Sequence, residues 1–189
     1  MDFELLFADQ KWNILKLISQ KSASPIQIAS VLDTSLANVS QQLRLLEMAS
    51  LVKTERAHNR ERGQPRKIFS LSDDFVYMIT IANDFAEKKL LRLSGRHKAI
   101  LKIWYMEDTT LHRPLERLYC SLEPVLGKID AVAVMPGHGK CQVYIVADKK
   151  IAGIEPDEAI DMKVCTKKEI LQLKSGLIVL HDPGRLLGR

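Results

Sequence analysis

Apolar residues recur with a helical period over the first third of the chain. From Ala8 to Gln20, Trp12, Leu15 and Ile18, flanked by Ile14 and Leu17, predict a first amphipathic helix. After the break Lys21-Ser22-Ala23 comes Ser24-Pro25-Ile26-Gln27, where Ser24 can cap, Pro25 suits the first helical position and Gln27 completes a capping box. Ile28, Ala29 and Leu32 carry this short second helix to Asp33-Thr34-Ser35, a tight turn with a fresh N-cap. A third helix is predicted from Leu36 to Met48, with Val39, Leu43 and Leu46 as its inward stripe. The period then drops to two. Val52 to Arg56 and Lys67 to Leu71 read as strands of a hairpin around a polar loop, Ala57 to Arg66.

Past Asp73-Asp74, the residues Phe75, Met78, Ile79, Ala82, Phe85, Ala86, Leu90 and Leu93 keep a helical spacing for about five turns until Gly95. This predicts a long linking helix whose stripe exceeds what a small core can cover. It either pairs with a second copy through Phe75, Met78, Ile79, Ala82 and Phe85, or packs on the chain's own C-terminal part. Leu111, Leu115, Leu118, Leu122 and Val125 predict one more helix, closed by Gly127. Ile129 to Met135 and Gln142 to Ala147 are then strand-like runs around the turn Pro136-Gly-His-Gly-Lys140, with a third strand near Met162 to Cys165. Thr166-Lys-Lys-Glu169 is a capping box opening a short helix to Lys174, and Leu177 to Leu180 makes a last strand. The predicted class is α+β: residues 1–72 form three helices and a hairpin, 73–108 linking and dimerisation helices, and 109–189 a small α/β domain.

Composition narrows the class. Hydrophobic residues make up 46% and charged residues 27% of 189, an ordinary globular profile. The longest apolar runs are far short of the roughly 20 residues that span a bilayer, and Met-Asp-Phe-Glu lacks the basic start of a secretory signal, so a cytoplasmic protein is expected. Three cysteines, with no Cys-x-x-Cys spacing, argue against a disulfide framework or a structural zinc finger.

The net charge of +5 matters through its location: Lys53, Arg56, Arg60, Arg62, Arg66 and Lys67 face only Glu55 and Glu61, so four of the five net charges lie in the hairpin. The outer side of the third helix is also unusual. Ser35, Asn38, Ser40, Gln41, Gln42 and Arg44 are hydroxyls and amides with a single Arg, and no acid precedes Glu47. Asn and Gln can pair bidentately with adenine edges in a major groove, Ser can serve base or phosphate, and missing acids avoid repulsion from phosphates. Arg56, Arg60, Arg62, Arg66 and Lys67 would grip the backbone. A second basic run, Lys88, Lys89, Arg92, Arg96, Lys98 and Lys102, either extends that footprint or forms the outer surface of the dimer helix.

The stretch Thr34-Ser-Leu-Ala-Asn-Val-Ser-Gln-Gln-Leu-Arg-Leu-Leu-Glu-Met-Ala-Ser-Leu-Val52 resembles the recognition segment of ArsR-type winged helix-turn-helix regulators, over about residues 5–72. The matching positions are Ser35, Val39-Ser40, Leu43 and Leu51-Val52. The resemblance implies a dimeric DNA-binding regulator, usually a repressor. Two positions depart from the family pattern: Ser50 stands where Gly is common, and no cysteine precedes Cys120, so the Cys-x-Cys metal-sensing motif is absent.

In the C-terminal half, Pro136-Gly-His-Gly-Lys140 lacks Walker spacing and is not followed by a helix. The order of strand, Gly turn, two strands, short helix and final strand resembles a degenerate minimal nucleotidyltransferase fold. That family needs a Gly-Ser turn and paired Asp residues for magnesium, whereas Gly137 precedes His138 and the second strand ends in the lone Asp148. His138, Cys141 and Cys165 could meet on neighbouring strands around a soft metal, but nothing in their spacing demands it and buried cysteines in strands are usually just packing. The expectation is therefore a non-enzymatic regulator without cofactor or bound metal, which binds palindromic double-stranded DNA as a homodimer. Its C-terminal domain would take an unknown effector or protein partner. The alternatives are a winged helix used for protein contact and a nucleotidyltransferase-derived protein with lost catalysis.

Overall fold

The capping signals at Ser24 and Ser35 are both realised in the computed structural model of the chain, which describes residues 3–56, 67–148, 153–173 and 176–187. The chain mixes helices and strands and divides into two units, Met1–Arg92 and Leu93–Arg189. Among the described residues no helix is long and apolar enough to cross a membrane.

In the first unit, helices α1 (Asp9–Gln20), α2 (Pro25–Val31) and α3 (Leu36–Met48) follow one another. Ser24 Oγ accepts the Gln27 N–H while Gln27 Oε1 accepts the Ser24 N–H at 2.8 Å, so two N–H groups without helical partners are satisfied at the start of α2. Both helix ends that bracket the turn and follow α3 use a left-handed residue. Asp33 has φ 48° and lets Thr34 N–H reach Ala29 O; Ser50 has φ 58° and lets Leu51 N–H reach Leu46 O, with Ser50 N–H on Glu47 O. Ile14, Ile18, Ile28, Val39, Leu43 and Leu46 form the core between the helices. Each such side chain, withdrawn from water, contributes about 1.5–3 kcal/mol. Strands β1 (Val52–Arg56) and β2 (Lys67–Leu71) pair antiparallel, and Ala23 bridges to Phe69, tying the hairpin to the α1–α2 connection.

The long helix expected from Phe75 to Leu93 is absent. That segment is a second antiparallel hairpin, β3 (Phe75–Ile81) and β4 (Ala86–Arg92). Phe75, Met78 and Ile79, expected on one helical dimer face, lie on β3, while Ala82 and Phe85 flank its turn at Asn83-Asp84. The physical reason is that the residues between the counted apolar positions, Val76, Tyr77, Thr80 and Ile81, are themselves β-branched or aromatic, and Asn-Asp favours a turn. A helical period can be picked out of a nearly continuous β-forming run. The hairpin belongs to the first unit: Phe75 and Leu90 pack against its core, and Tyr77 stacks on Phe7 with ring centroids 5.3 Å apart. The boundary between units accordingly falls at Arg92, not Ser72.

The second unit begins with α4 (Gly95–Trp104), where Ser94 caps the His97 N–H. Gly95, which the spacing takes as a stop, is the first residue of this helix. Then come α5 (His112–Leu122) and a four-stranded sheet of β5 (Ala131–Met135), β6 (Cys141–Val146), β7 (Ile160–Cys165) and β8 (Ile178–His181), with α6 (Lys167–Gln172) before the last strand. The order is β7-β6-β5-β8, with β6 and β7 parallel and the other neighbours antiparallel. Val132, Val134, Val143 and Ile145 pack with side chains of α4 and α5; Ala133, Tyr144 and Val146 pack with Ile170 of α6. Cover on both faces is why β5 and residues 143–146 of β6 read as unbroken apolar runs.

Candidate nucleic-acid interface

Val39, Leu43 and Leu46 turn α3 inward, so at 100° per residue its far side carries Ala37, Gln41, Arg44 and Met48, with Ser40 beside them; all five are exposed. Ser35, also exposed, caps the helix by accepting the Asn38 N–H at 3.2 Å. Ser40 Oγ donates to Leu36 O at 2.7 Å, so binding a phosphate oxygen requires its single hydroxyl proton to turn outward from that carbonyl. Ala37 was not among the expected contacts, yet the helical wheel alone puts it at the centre of the ridge.

Asn38 and Gln42 do not stand on that ridge. Both are half-buried at the flank of the inward stripe. Asn38 Nδ2 donates to Gln10 Oε1 on α1 and to Thr34 Oγ1 at 3.3 Å, while Gln42 Nε2 donates to Asn38 Oδ1 at 3.2 Å. Gln42 Oε1 is buried with no partner among the described residues. These amides brace α3 against α1, which leaves Gln41 as the exposed amide of the face.

Arg56 and Lys67 pair across the last described rung of the β1–β2 hairpin, both exposed. Arg60, Arg62 and Arg66 lie outside the described residues. The second basic run is divided between the two units. Lys88 pairs with Glu4 and Arg92 with Asp73 in the first unit; Arg96 pairs with Glu123, and Lys102 donates to Val179 O, in the second. Much of its charge is thus met locally.

The Pro136–Lys140 turn joins β5 and β6. Gly139, at φ 69°, donates its N–H to Asp108 Oδ2 at 2.9 Å, and the other Asp108 oxygen accepts from Thr110. The Thr110 and Gly139 bonds hold the Asp108 carboxyl below its usual range. An anion approaching this turn meets a carboxylate on its Gly139 N–H. Asp148 is exposed beyond β6, and Asp161 on β7 pairs with Lys163 at 3.3 Å. Cys141 and Cys165 do not meet: Cys141 registers with Ile160 and Cys165 with Val146, at opposite ends of the β6–β7 pair. Five residue steps amount to roughly 16 Å. Burial also pushes the Cys141 thiol up to about 11, away from the thiolate that a metal requires. Among the described residues no three His, Cys, Asp or Glu gather as a metal site.

No protein-family model and no curated protein matches the chain.

Proposed function

We propose that the protein is a sequence-specific, duplex-DNA-binding transcription regulator. On this reading it is a repressor acting by occupancy in the cytoplasm, with an ArsR-like winged helix-turn-helix as its first unit. It binds palindromic sites as a homodimer and has neither catalysis nor cofactor. The observation that carries the reading is the outward ridge of α3. Ala37, Ser40, Gln41 and Arg44 are exposed there without a carboxylate before Glu47, directly ahead of a hairpin bearing Arg56 and Lys67. A helix with such a face suits a major groove, where Gln41 reads a base edge and Ser35, Ser40 and Arg44 hold register on phosphates. Arg56 and Lys67, with Arg60, Arg62 and Arg66 of the loop, grip the backbone. The second unit serves as an effector- or partner-binding module.

Selection of bound sequences from a random duplex pool tests this. A palindrome with half-sites about one helical turn, roughly 34 Å, apart is expected. Arg62→Ala should weaken all duplexes and flatten the salt dependence. A pool that yields no consensus, with no mobility shift at low salt, ends the reading.

One observation favours protein contact instead: Ile26, Val31, Leu36, Leu45 and Met48 are exposed on α2 and α3, Met48 to 66%. On that alternative an acidic protein engages the basic hairpin and duplex DNA does not shift.

A further inference from the structure

Strand β3 has an edge with no third strand beside it among the described residues, and its sheet contains only β3 and β4. The two edges differ. β4 carries Glu87, Lys88, Lys89 and Arg92, the charged residues that normally discourage edge-to-edge pairing, whereas β3 reads Phe-Val-Tyr-Met-Ile-Thr-Ile without a charged residue. Alternation puts Phe75, Tyr77, Ile79 and Ile81 on one face of the hairpin. The first two are held by their own unit, Phe75 on the core and Tyr77 on Phe7. The last two are bare: Ile79 is 55% and Ile81 85% exposed. Beside Phe75 runs an apolar groove lined by Phe7, Trp12, Leu15, Leu51 and Leu71, with Trp12 47% exposed.

We propose that β3 is the dimerisation strand. Two copies pair β3 to β3, antiparallel about a twofold axis at Met78, into a four-stranded sheet with a β4 at each side. In this register Phe75 lies opposite the partner's Ile81, and Tyr77 opposite the partner's Ile79. Each bare isoleucine is thereby carried to the face that holds the partner's groove, so ridge and groove cover each other twice, as an isologous interface requires. Every β3–β3 cross-strand pair is uncharged. Pairing through β4 would set Lys88 and Lys89 among their own copies, which is unfavourable. The inference rests on the homodimer of the preceding reading and gives it an interface; it does not depend on the DNA contacts.

Sedimentation equilibrium of the full chain tests it. Met78→Lys puts two like charges across the axis and should weaken the dimer at least tenfold while leaving the circular-dichroism melt of the protein in place. Independently, Met78→Cys in a Cys120→Ser background, which removes the exposed native thiol, should cross-link to a disulfide dimer on mild oxidation. Lys89→Cys in the same background should not. A Met78→Lys chain that dimerises as tightly as the wild type, a wild type that stays monomeric even on a palindromic duplex, or cross-linking through residue 89 and not 78 overturns the proposal. If Met78→Lys dissociates the dimer and neither protein shifts DNA, the interface stands and the DNA reading fails. If both bind DNA and both remain dimers, the DNA reading stands and the interface fails.

Discussion

Gln42 donates its side-chain amide to Asn38 Oδ1 at 3.2 Å, one turn earlier on α3. Asn38 in turn reaches Thr34 and Gln10, so two amides that composition alone would assign to base reading hold the helix in position. Gln41, one residue away, is exposed. The two neighbours should therefore separate cleanly on substitution. Gln41→Ala is expected to relax sequence preference by about 1–3 kcal/mol with little change in melting. Gln42→Ala should lower stability by about 1 kcal/mol and weaken specific and random duplexes alike. Fluorescence anisotropy on both duplex types, alongside thermal melts, checks this; a reversed pattern would exchange the roles.

Ser50 occupies the left-handed position that closes α3, at φ 58°. An L side chain there is strained by about 1–2 kcal/mol, and part of the relief offered by glycine is lost to the greater freedom of the unfolded chain. Ser50→Gly should stabilise the first unit by about 0.5–1 kcal/mol. Denaturant melts of the two proteins would record it, and a destabilised variant would mean that the Ser50 side chain does something its backbone geometry does not reveal.

The three thiols should report on the second unit in order of access. Cys120 is exposed, Cys165 half-buried and Cys141 buried, with burial raising Cys165 and taking Cys141 to about 11. At neutral pH a thiol probe should label Cys120 first, and Cys141 only when the sheet opens, because reaction needs an accessible thiolate. Mass spectrometry of partly labelled protein resolves the order. Labelling of Cys141 as fast as Cys120 in native buffer would contradict the packing of β6.

His181 on β8 is held below its usual 6.5 by burial, which outweighs the backbone bonds at Ile129 and Leu126 and the Asp182 charge; its Nε2 is buried without a partner among the described residues. The folded state thus favours the neutral ring, and the unfolded chain binds more protons once pH drops below about 6.5. The stability this contributes is complete above that value and is lost as pH falls through the folded one. The melting temperature of the second unit should decline between pH 7 and pH 5, and His181→Gln should flatten the decline. Calorimetry across that range is the check, and equal slopes in both proteins would remove His181 as the cause.

Local chemistry was legible wherever a short signal has a single physical solution. Ser24-Pro25-x-Gln27, Ser35 ahead of Leu36, and Thr166-x-x-Glu169 can hardly do other than cap helices, and the period-two strands around the basic loop follow from alternation. From Phe75 to Leu93 the sparse apolar positions fit two periods, and only the intervening Val76, Tyr77, Thr80 and Ile81 separate strand from helix. The start of α4 is hidden in the sequence because Gly95 commonly ends a helix, while the deciding cap, Ser94 with His97, lies across it.

Residue order alone determined the capped helices, the acid-free stretch before Glu47 and the concentration of charge around the first hairpin, since each depends on neighbours within a turn or two. Tertiary structure decided which amides are spent on packing, because Asn38 meets Gln10 only when α1 crosses α3. It also decided that Cys141 and Cys165 stand apart, because strand register is set by how whole strands pair and not by the spacing of two residues along the chain.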